Sequence, residues 1–533
     1  MIAETPSLQD LIAENAQQKS MIEEFRNEIA HLKEQLTWLT RQLFGQRSEK
    51  FVDGLNENQP LLPGFELPKE PEKKKKTIPT HERRQPQRSG KDKITLPPDL
   101  PIERQIVDLP EEEKVCAETG QALIKIGEEV TSKLAHKPGS YFIKEFVRFK
   151  YALPENSEGG IRAAPLPESL LIRCQADESF LADILTKKFA DHLPLYRISE
   201  ILGREGIRVS RQILCQWVIR CGQALKPLYH EMTKQVLLSG NVFIDESPVD
   251  MLAPGKGKVH QAYMWVMVGG MEVDPTYRVY HFRTNRKHEN ALQLLKGYQG
   301  VLHSDKYGAY QKAAKQEITW CPCWAHIRRK FIEAESGDPA FRKWVLRKIR
   351  YLYMLERVAW NRTERERLRI RQDKEGPIID ELIEGIKKRL VDGTILPKSK
   401  FREALGYFLG LAPHLKNYLK HPYARLDNNV AERAIRPLAI GRKNWLFVGN
   451  EEGGEASAVI LSLVQTCRGL SINPRDYLED IMRRLMSHPV NKLNELLPDQ
   501  WARFREKLTS NQESLCNAVK HSTNTSESTL PGT

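Results

Sequence analysis

No two of the eight cysteines stand in a CxxC pair, which excludes a zinc ribbon or a disulfide framework signalled by spacing. No apolar run approaches membrane-spanning length, and the N-terminus lacks the charged-then-apolar order of a secretion signal. A reducing cytoplasm without membrane contact is therefore the expected location. Acid excess is also missing: 82 Lys and Arg outweigh 69 Asp and Glu, giving a formal net charge of +13. That balance favours a polyanionic partner, most simply nucleic acid. With 533 residues the chain is long enough for several domains, each with its own core.

What the chain does have begins with a heptad. Leu8, Leu11, Asn15, Gln18, Ile22, Phe25, Ile29, Leu32, Leu36, Leu39 and Leu43 alternate in steps of three and four. The narrow apolar seam predicts a coiled coil over 1–50 and hence a homo-oligomer, with Asn15 and Gln18 fixing register. Residues 51–95 are rich in proline and positive charge and read as a basic, flexible linker. From 96 to 170 short strands and turns predict a small β-rich module. Cys116, in CAETG, stands where a zinc knuckle would have two thiols, so this is a degenerate finger and zinc is not expected.

Residues 171–236 read as helices around a glycine-containing turn. Ser210 can cap a helix in which Ile213, Leu214, Trp217 and Val218 face inward. That leaves Arg211, Gln212, Gln216 and Arg220 outward, residue types that read phosphates and base edges, as in a helix-turn-helix. An ordinary helical hairpin would show the same pattern.

The period then changes to two. NVFIDESPVDML, HQAYMWVMVGG and TYRVYHFR read as three antiparallel strands, HENALQLLKGY as a helix, and GVLHSDKYGAY as a fourth strand turning into a helix. This is an α/β layer within a multidomain α+β chain. Asp245 lies in the first strand and Asp305 at the end of the fourth. Either alone could be a turn or cap residue. Paired on neighbouring strands they would repel unless a cation neutralised them. A later helix opens at Asp427 and carries Asn428, Glu432 and Arg436 on one face, with Pro437 expected to end it. Glu432 would complete a three-carboxylate metal site, or else form a surface pair with Arg436. Phe447 reads as core.

The set DESPV, HSDKYGAY, CWAHIRRKF, DNNVAERAIRP, GRKNWLF and SLVQTCRGLSINPRDYLEDIM resembles the DDE transposases of bacterial insertion sequences, in the insertion-sequence-66 branch. The resemblance covers most of residues 20–490. It implies an RNase H-like catalytic core over 237–325 and 426–450, interrupted by a helical insertion over 326–425. It further implies that Asp245, Asp305 and Glu432 are the catalytic, metal-binding acids. A C-terminal helical segment over 451–495 and a polar tail over 496–533 would follow. Cys323 and His326 match a Cys-x-x-His pattern that follows the second acid in many such enzymes. Two ligands are too few for structural zinc, so packing or substrate orientation is their expected role.

The implied reaction frees a 3′-hydroxyl by phosphodiester hydrolysis and then uses it to attack target DNA. Two Mg²⁺ (or Mn²⁺) ions per site suit three carboxylates, because hard cations prefer oxygen ligands. Arg436, Arg442 and Lys443 are candidates for phosphate contacts, and Trp445 for stacking on an unpaired base. Expected partners are terminal inverted repeats, target DNA and accessory proteins of the same element. Two other readings share this core: a DNA-binding or assembly protein with inactive chemistry, and a structure-specific nuclease that never joins strands.

Overall fold

In the computed structural model the described residues are 100–507, apart from 115–121, 123, 138, 153–160, 254–257, 271–275, 314–316 and 336. The coiled coil, the linker and the tail beyond 507 lie outside the described residues. Residues 100–393 and 400–507 belong to one compact unit.

The first sheet is the β-rich module. β1 (Ile102–Val107) runs parallel to β3 (Ser140–Ala152), which pairs antiparallel with β2 (Ile124–Lys137) and with the short β4 (Arg162–Ala163). Gly139, at φ 85°, makes the tight turn between β2 and β3. Tyr151 anchors the small core with Leu109 and Ala164, its hydroxyl donating to Asp108 at 2.6 Å.

Four helices follow: α1 (Glu178–Phe189), α2 (Leu195–Arg204), α3 (Arg211–Ala224) and α4 (Lys226–Leu237). Ser210 caps α3 as expected, its Oγ accepting from the Ile213 N–H at 3.3 Å. Ile213, Leu214, Trp217 and Val218 are buried, while Arg211, Gln212 and Gln216 are exposed. Arg220 departs from expectation. It is half-buried, and its Nη2 donates to the Ile172 carbonyl at 2.7 Å, so it ties the helix to the preceding loop.

The second sheet has the order β7-β6-β5-β8-β9. β5 (Asn241–Ala253), β6 (Lys258–Gly269) and β7 (Tyr277–Arg283) are antiparallel neighbours. After α5 (His288–Leu294), β8 (Gly300–Ser304) joins β5 in parallel. α6 (Gly308–Ala313) leads to β9 (Ile318–Pro322), parallel to β8. Sequence alternation marked β5 to β8 but missed β9, whose five residues ITWCP are too short and too uniformly apolar to show a period.

Helices then fill 324–425: α7 (Trp324–Glu333), α8 (Pro339–Ala359), α9 (Glu364–Ile370), a π-helical turn Arg371–Glu375, α10 (Gly376–Val391) and α11 (Lys400–Leu411). The fully buried Arg371 sits at their centre. Its Nε and Nη2 meet the two oxygens of Glu356 at 2.7 and 2.8 Å. Its remaining donors reach the carbonyls of His421 and Ala424 at 2.6 and 2.7 Å. Every strong donor is matched, which is what lets a buried ion pair persist.

The chain returns to the sheet in α12 (Asn429–Trp445), β10 (Phe447–Val448) pairing parallel with β5, α13 (Glu451–Gly469) and α14 (Pro474–Arg484). α13 is buried along most of its length and covers the exposed edge of β7. The N–H groups of Tyr280 and Arg278 donate to Ser462 Oγ at 2.8 Å and Thr466 Oγ1 at 3.0 Å, so that edge has no free donors at those positions. α13 also crosses α3 closely: a Cβ added at Gly222 would lie 2.5 Å from Ala456 Cβ.

Residues 498–507 are helical and docked, which corrects the expected polar tail from 496. Trp501 is buried and its Nε1 donates to Asp480 at 2.7 Å, so one tryptophan anchors an otherwise hydrophilic stretch.

Arg371→Ala is expected to lower unfolding stability in urea titration by about 3–5 kcal/mol, because it strands Glu356 unpaired in the interior. Gly222→Ala is expected to destabilise by about 1–3 kcal/mol through overpacking, opposite in sign to the usual gain from alanine in a helix.

Candidate active site

The site forms where α12 lies across the second sheet. Ala431, Ala434, Leu438 and Gly441 recur at helical spacing and are buried against it. Four hydrogen bonds pin the helix. The Asn428 amide donates to the Ile244 carbonyl at 2.8 Å. The Tyr280 hydroxyl donates to the Ala434 carbonyl. Arg442 Nη1 donates to Ser247 Oγ at 2.8 Å and to the Pro248 carbonyl at 2.5 Å. The helix accordingly runs straight through Pro437, where the sequence predicted its end. An interior proline costs about 3 kcal/mol in an isolated helix; packing and pins on both sides of it offset that here. The turn ends at Leu446, which adopts the left-handed conformation at φ 66°.

The three acids lie on β5, just after β8 and in the first turn of α12. Phe243 pairs with His303 in the β5–β8 register, so Asp245, within β5, and Asp305, just past the end of β8, each stand two residues further on along adjoining strands. Asp245 Oδ1 accepts from the Glu246 N–H and Asp305 Oδ1 from the Tyr307 N–H, both at 2.9 Å. Glu432 enters from the first turn of α12. Burial first, then the charges of Glu246, Asp305 and Glu432, push the Asp245 carboxyl well above the usual carboxylate range. The charges of Asp305 and Glu432 are thus both felt at the Asp245 carboxyl.

Glu432 also faces α7. Its ionisable basic neighbours within 4 Å, among the described residues, are His326, with Nδ1 to Oε1 at 3.6 Å, and Arg329, with Nη2 to Oε2 at 3.8 Å. A surface pair with Arg436 does not form. Cys323 precedes α7, and its Sγ accepts from the Asn428 N–H at 3.2 Å. One donor atom each from Cys323, His326 and Glu432 lie within 4.8 Å of one another. The sequence left Cys323 and His326 as a pair short of ligands; the fold supplies a third group from a helix more than a hundred residues away.

Three regions of the chain match known families. The model described as Transposase IS66 family covers residues 173–456, more than half of the chain. The chain belongs to this family. The IS66 C-terminal element matches 462–498, and a model described as Transposase C of IS166 homeodomain matches 31–104. Similar proteins in Sinorhizobium fredii (strain NBRC 101917 / NGR234) include the uncharacterized protein y4qI, 30% identical, with 91% of this chain and 92% of the relative covered. Another, y4jD, is 29% identical, with 90% of this chain and 96% of the relative covered. IS66 membership implies a DNA transposase, and with it DNA as partner. No helix among the described residues is long and apolar enough to cross a membrane.

In this IS66 chain the expected phosphate-contacting residues divide. Arg436 and Lys443 are exposed on α12. Arg442 is not available in the same way, since its guanidinium holds α12 to β5. Trp445 is half-buried, with Lys188 Nζ 5.8 Å from its ring. Phe447, expected in the core, is 43% exposed, and its neighbour Val448 is buried instead. The two-residue strand β10 sends adjacent side chains to opposite faces, and sequence reasoning chose the wrong one.

Glu246 was missed altogether. Its side chain is only 2% exposed. It accepts from Tyr310 Oη at 2.6 Å and from Arg286 Nε at 2.8 Å. The strand period gave no reason to group Glu246 with Asp245, and its partners lie on other elements.

A carboxyl raised above its ordinary pKa of 3.8 stays protonated in the folded chain after the unfolded chain has released its proton. It therefore costs stability progressively as pH rises from that value. Asp245→Asn is expected to raise the Tm of the metal-free protein at neutral pH, with the gain shrinking as pH falls toward 3.8. Thermal melts in EDTA across pH would check this.

Proposed function

We propose that this IS66 protein is a DDE transposase whose catalytic acids are Asp245, Asp305 and Glu432 on an RNase H-like core. The sheet β5–β9 with α12 supplies that core, over 237–325 and 426–450, and the helices of 326–425 form the insertion. The single observation that supports the reading is that burial and the charges of Glu246, Asp305 and Glu432 hold the Asp245 carboxyl on β5 well above its ordinary range. Crowding negative charge around a half-buried carboxyl is unfavourable unless a cation balances it.

The donor set fits Mg²⁺ or Mn²⁺: it offers hard carboxylate oxygens, and the charged form of Asp245 is left disfavoured by its surroundings until a cation approaches. Bound there, two such ions would activate the attacking oxygen and stabilise the leaving one. The chain's own groups do the positioning. The Glu246 and Tyr307 N–H groups fix the two aspartates, and the pins on α12 fix Glu432. Glu246, held by Tyr310 and Arg286, adds negative charge beside them. Arg436 and Lys443 are placed to hold phosphates. Arg211, Gln212 and Gln216 form the outward row of α3 that would enter a major groove. The coiled coil would join protomers so that two transposon ends meet, with accessory proteins of the element as further partners and the cytoplasm as the site of action.

A strand-transfer assay with the matching inverted repeats and Mg²⁺ tests this. The wild type should cleave the ends and join the freed 3′-hydroxyl to target DNA. Asp245→Asn should retain end binding yet lose cleavage by at least about 10²–10³-fold, the scale of several kcal/mol of metal-borne charge stabilisation. Cleavage without joining would establish a nuclease instead. Binding without cleavage by the wild type would establish an assembly protein.

A further inference from the structure

Cys323, His326 and Glu432 make a donor set unlike the three acids. It joins a thiol, an imidazole and a carboxylate, the combination that borderline ions such as Zn²⁺ and Co²⁺ favour and Mg²⁺ does not. The spacing is local at one end and long-range at the other. Cys323 immediately precedes α7 and His326 follows at i+3, which puts both on one side of the helix start, while Glu432 arrives on the pinned first turn of α12. All three therefore stand on rigid elements.

Two details point to a missing ligand. His326 Nδ1 and Glu432 Oε1 are buried atoms without a hydrogen-bond partner in the protein. They face each other at 3.6 Å, too long for a hydrogen bond. Two ligands on one tetrahedral ion with bonds of about 2.1 Å stand about 3.4 Å apart, so the observed spacing is that of two ligands rather than of a donor and acceptor. The N–H of Asn428, 3.2 Å from Cys323 Sγ, is placed as the outer hydrogen bond that a metal-bound thiolate accepts. His326 and Glu432 remain 24% and 25% exposed, which leaves a way in.

We propose that Cys323, His326 and Glu432 form a second cation site, selective for Zn²⁺-like ions, whose occupant draws Glu432 away from Asp245 and Asp305. Binding replaces the thiol proton with the metal and releases that proton to solvent. The fourth position on the ion is left to water. One carboxylate is then shared between a soft site and a hard one, so Zn²⁺ acts as a brake on the Mg²⁺-dependent reaction. The site itself stands on geometry alone, whereas the braking rests on the reading of Glu432 as a catalytic acid.

The test uses full-length protein stripped with EDTA and titrated with Co²⁺. One equivalent per chain should produce a thiolate-to-cobalt absorption band together with the visible bands of a tetrahedral ion, and Zn²⁺ should bleach both. Cys323→Ser should lose the thiolate band, His326→Gln should weaken binding, and Asp245→Asn and Cys215→Ser should keep the band. In the strand-transfer assay Zn²⁺ should inhibit the wild type. Cys323→Ser, scored against its own Mg²⁺-supported rate, should require at least about 10–100-fold more Zn²⁺. Absence of a thiolate band at saturating Co²⁺, or an unchanged band in Cys323→Ser, would overturn the site. A band in a protein that never cleaves DNA would uphold the site and overturn the catalytic reading instead. A band with Zn²⁺-insensitive cleavage would overturn the braking.

Discussion

Asn428 is a residue on which three parts of the chain converge. Its side-chain amide donates to the Ile244 carbonyl, one residue before Asp245, and its N–H donates to Cys323 Sγ. β5, the entrance to α7 and the entrance to α12 are thereby referred to one point. The residue is fully buried, and its Oδ1 has no partner in the protein. An unsatisfied acceptor of that kind costs about 1–3 kcal/mol. The fold tolerates that cost at the point where β5, α7 and α12 are tied together.

The same tension runs through the charged groups around it. The middle of a sheet where the charges of Glu246, Asp305 and Glu432 bear on Asp245 would be more stable with apolar residues. The surroundings moderate the repulsion without abolishing it. Tyr310 and Arg286 take up Glu246, and Arg329 approaches Glu432, yet the Asp245 carboxyl is left well above its ordinary range. Elsewhere the chain treats buried charge differently. Arg371 and Glu356 neutralise each other with matched geometry, which gives the helices of 326–425 a fixed centre. One arrangement closes on its own counter-charge; the other leaves a carboxyl without one.

Much of this was legible beforehand wherever local chemistry decides structure. Alternation in β5, β6 and β7, the Ser210 cap and the inward row of α3 each follow from nearest neighbours in sequence, and the acids stood out because apolar strands seldom carry them. What escaped notice depends on distant contacts. β9 is a strand because β8 lies beside it. α12 passes Pro437 because the sheet holds it on both sides. Residues 498–507 dock because Trp501 finds Asp480. Arg442 and Glu246 have roles set by partners on other elements, and so does the third member of the Cys323–His326 group. No spacing rule reaches across a hundred residues.

The close crossing of α3 and α13 has a mechanical corollary. With no room for one methyl group between Gly222 and Ala456, and with α13 fastened along β7, the outward row of α3 cannot swing independently of the sheet. A duplex gripped by that row would lie at a set offset from the acids. The count of base pairs between a recognised sequence and the severed bond would then be gauged by the protein's own backbone, as a caliper fixes a gap.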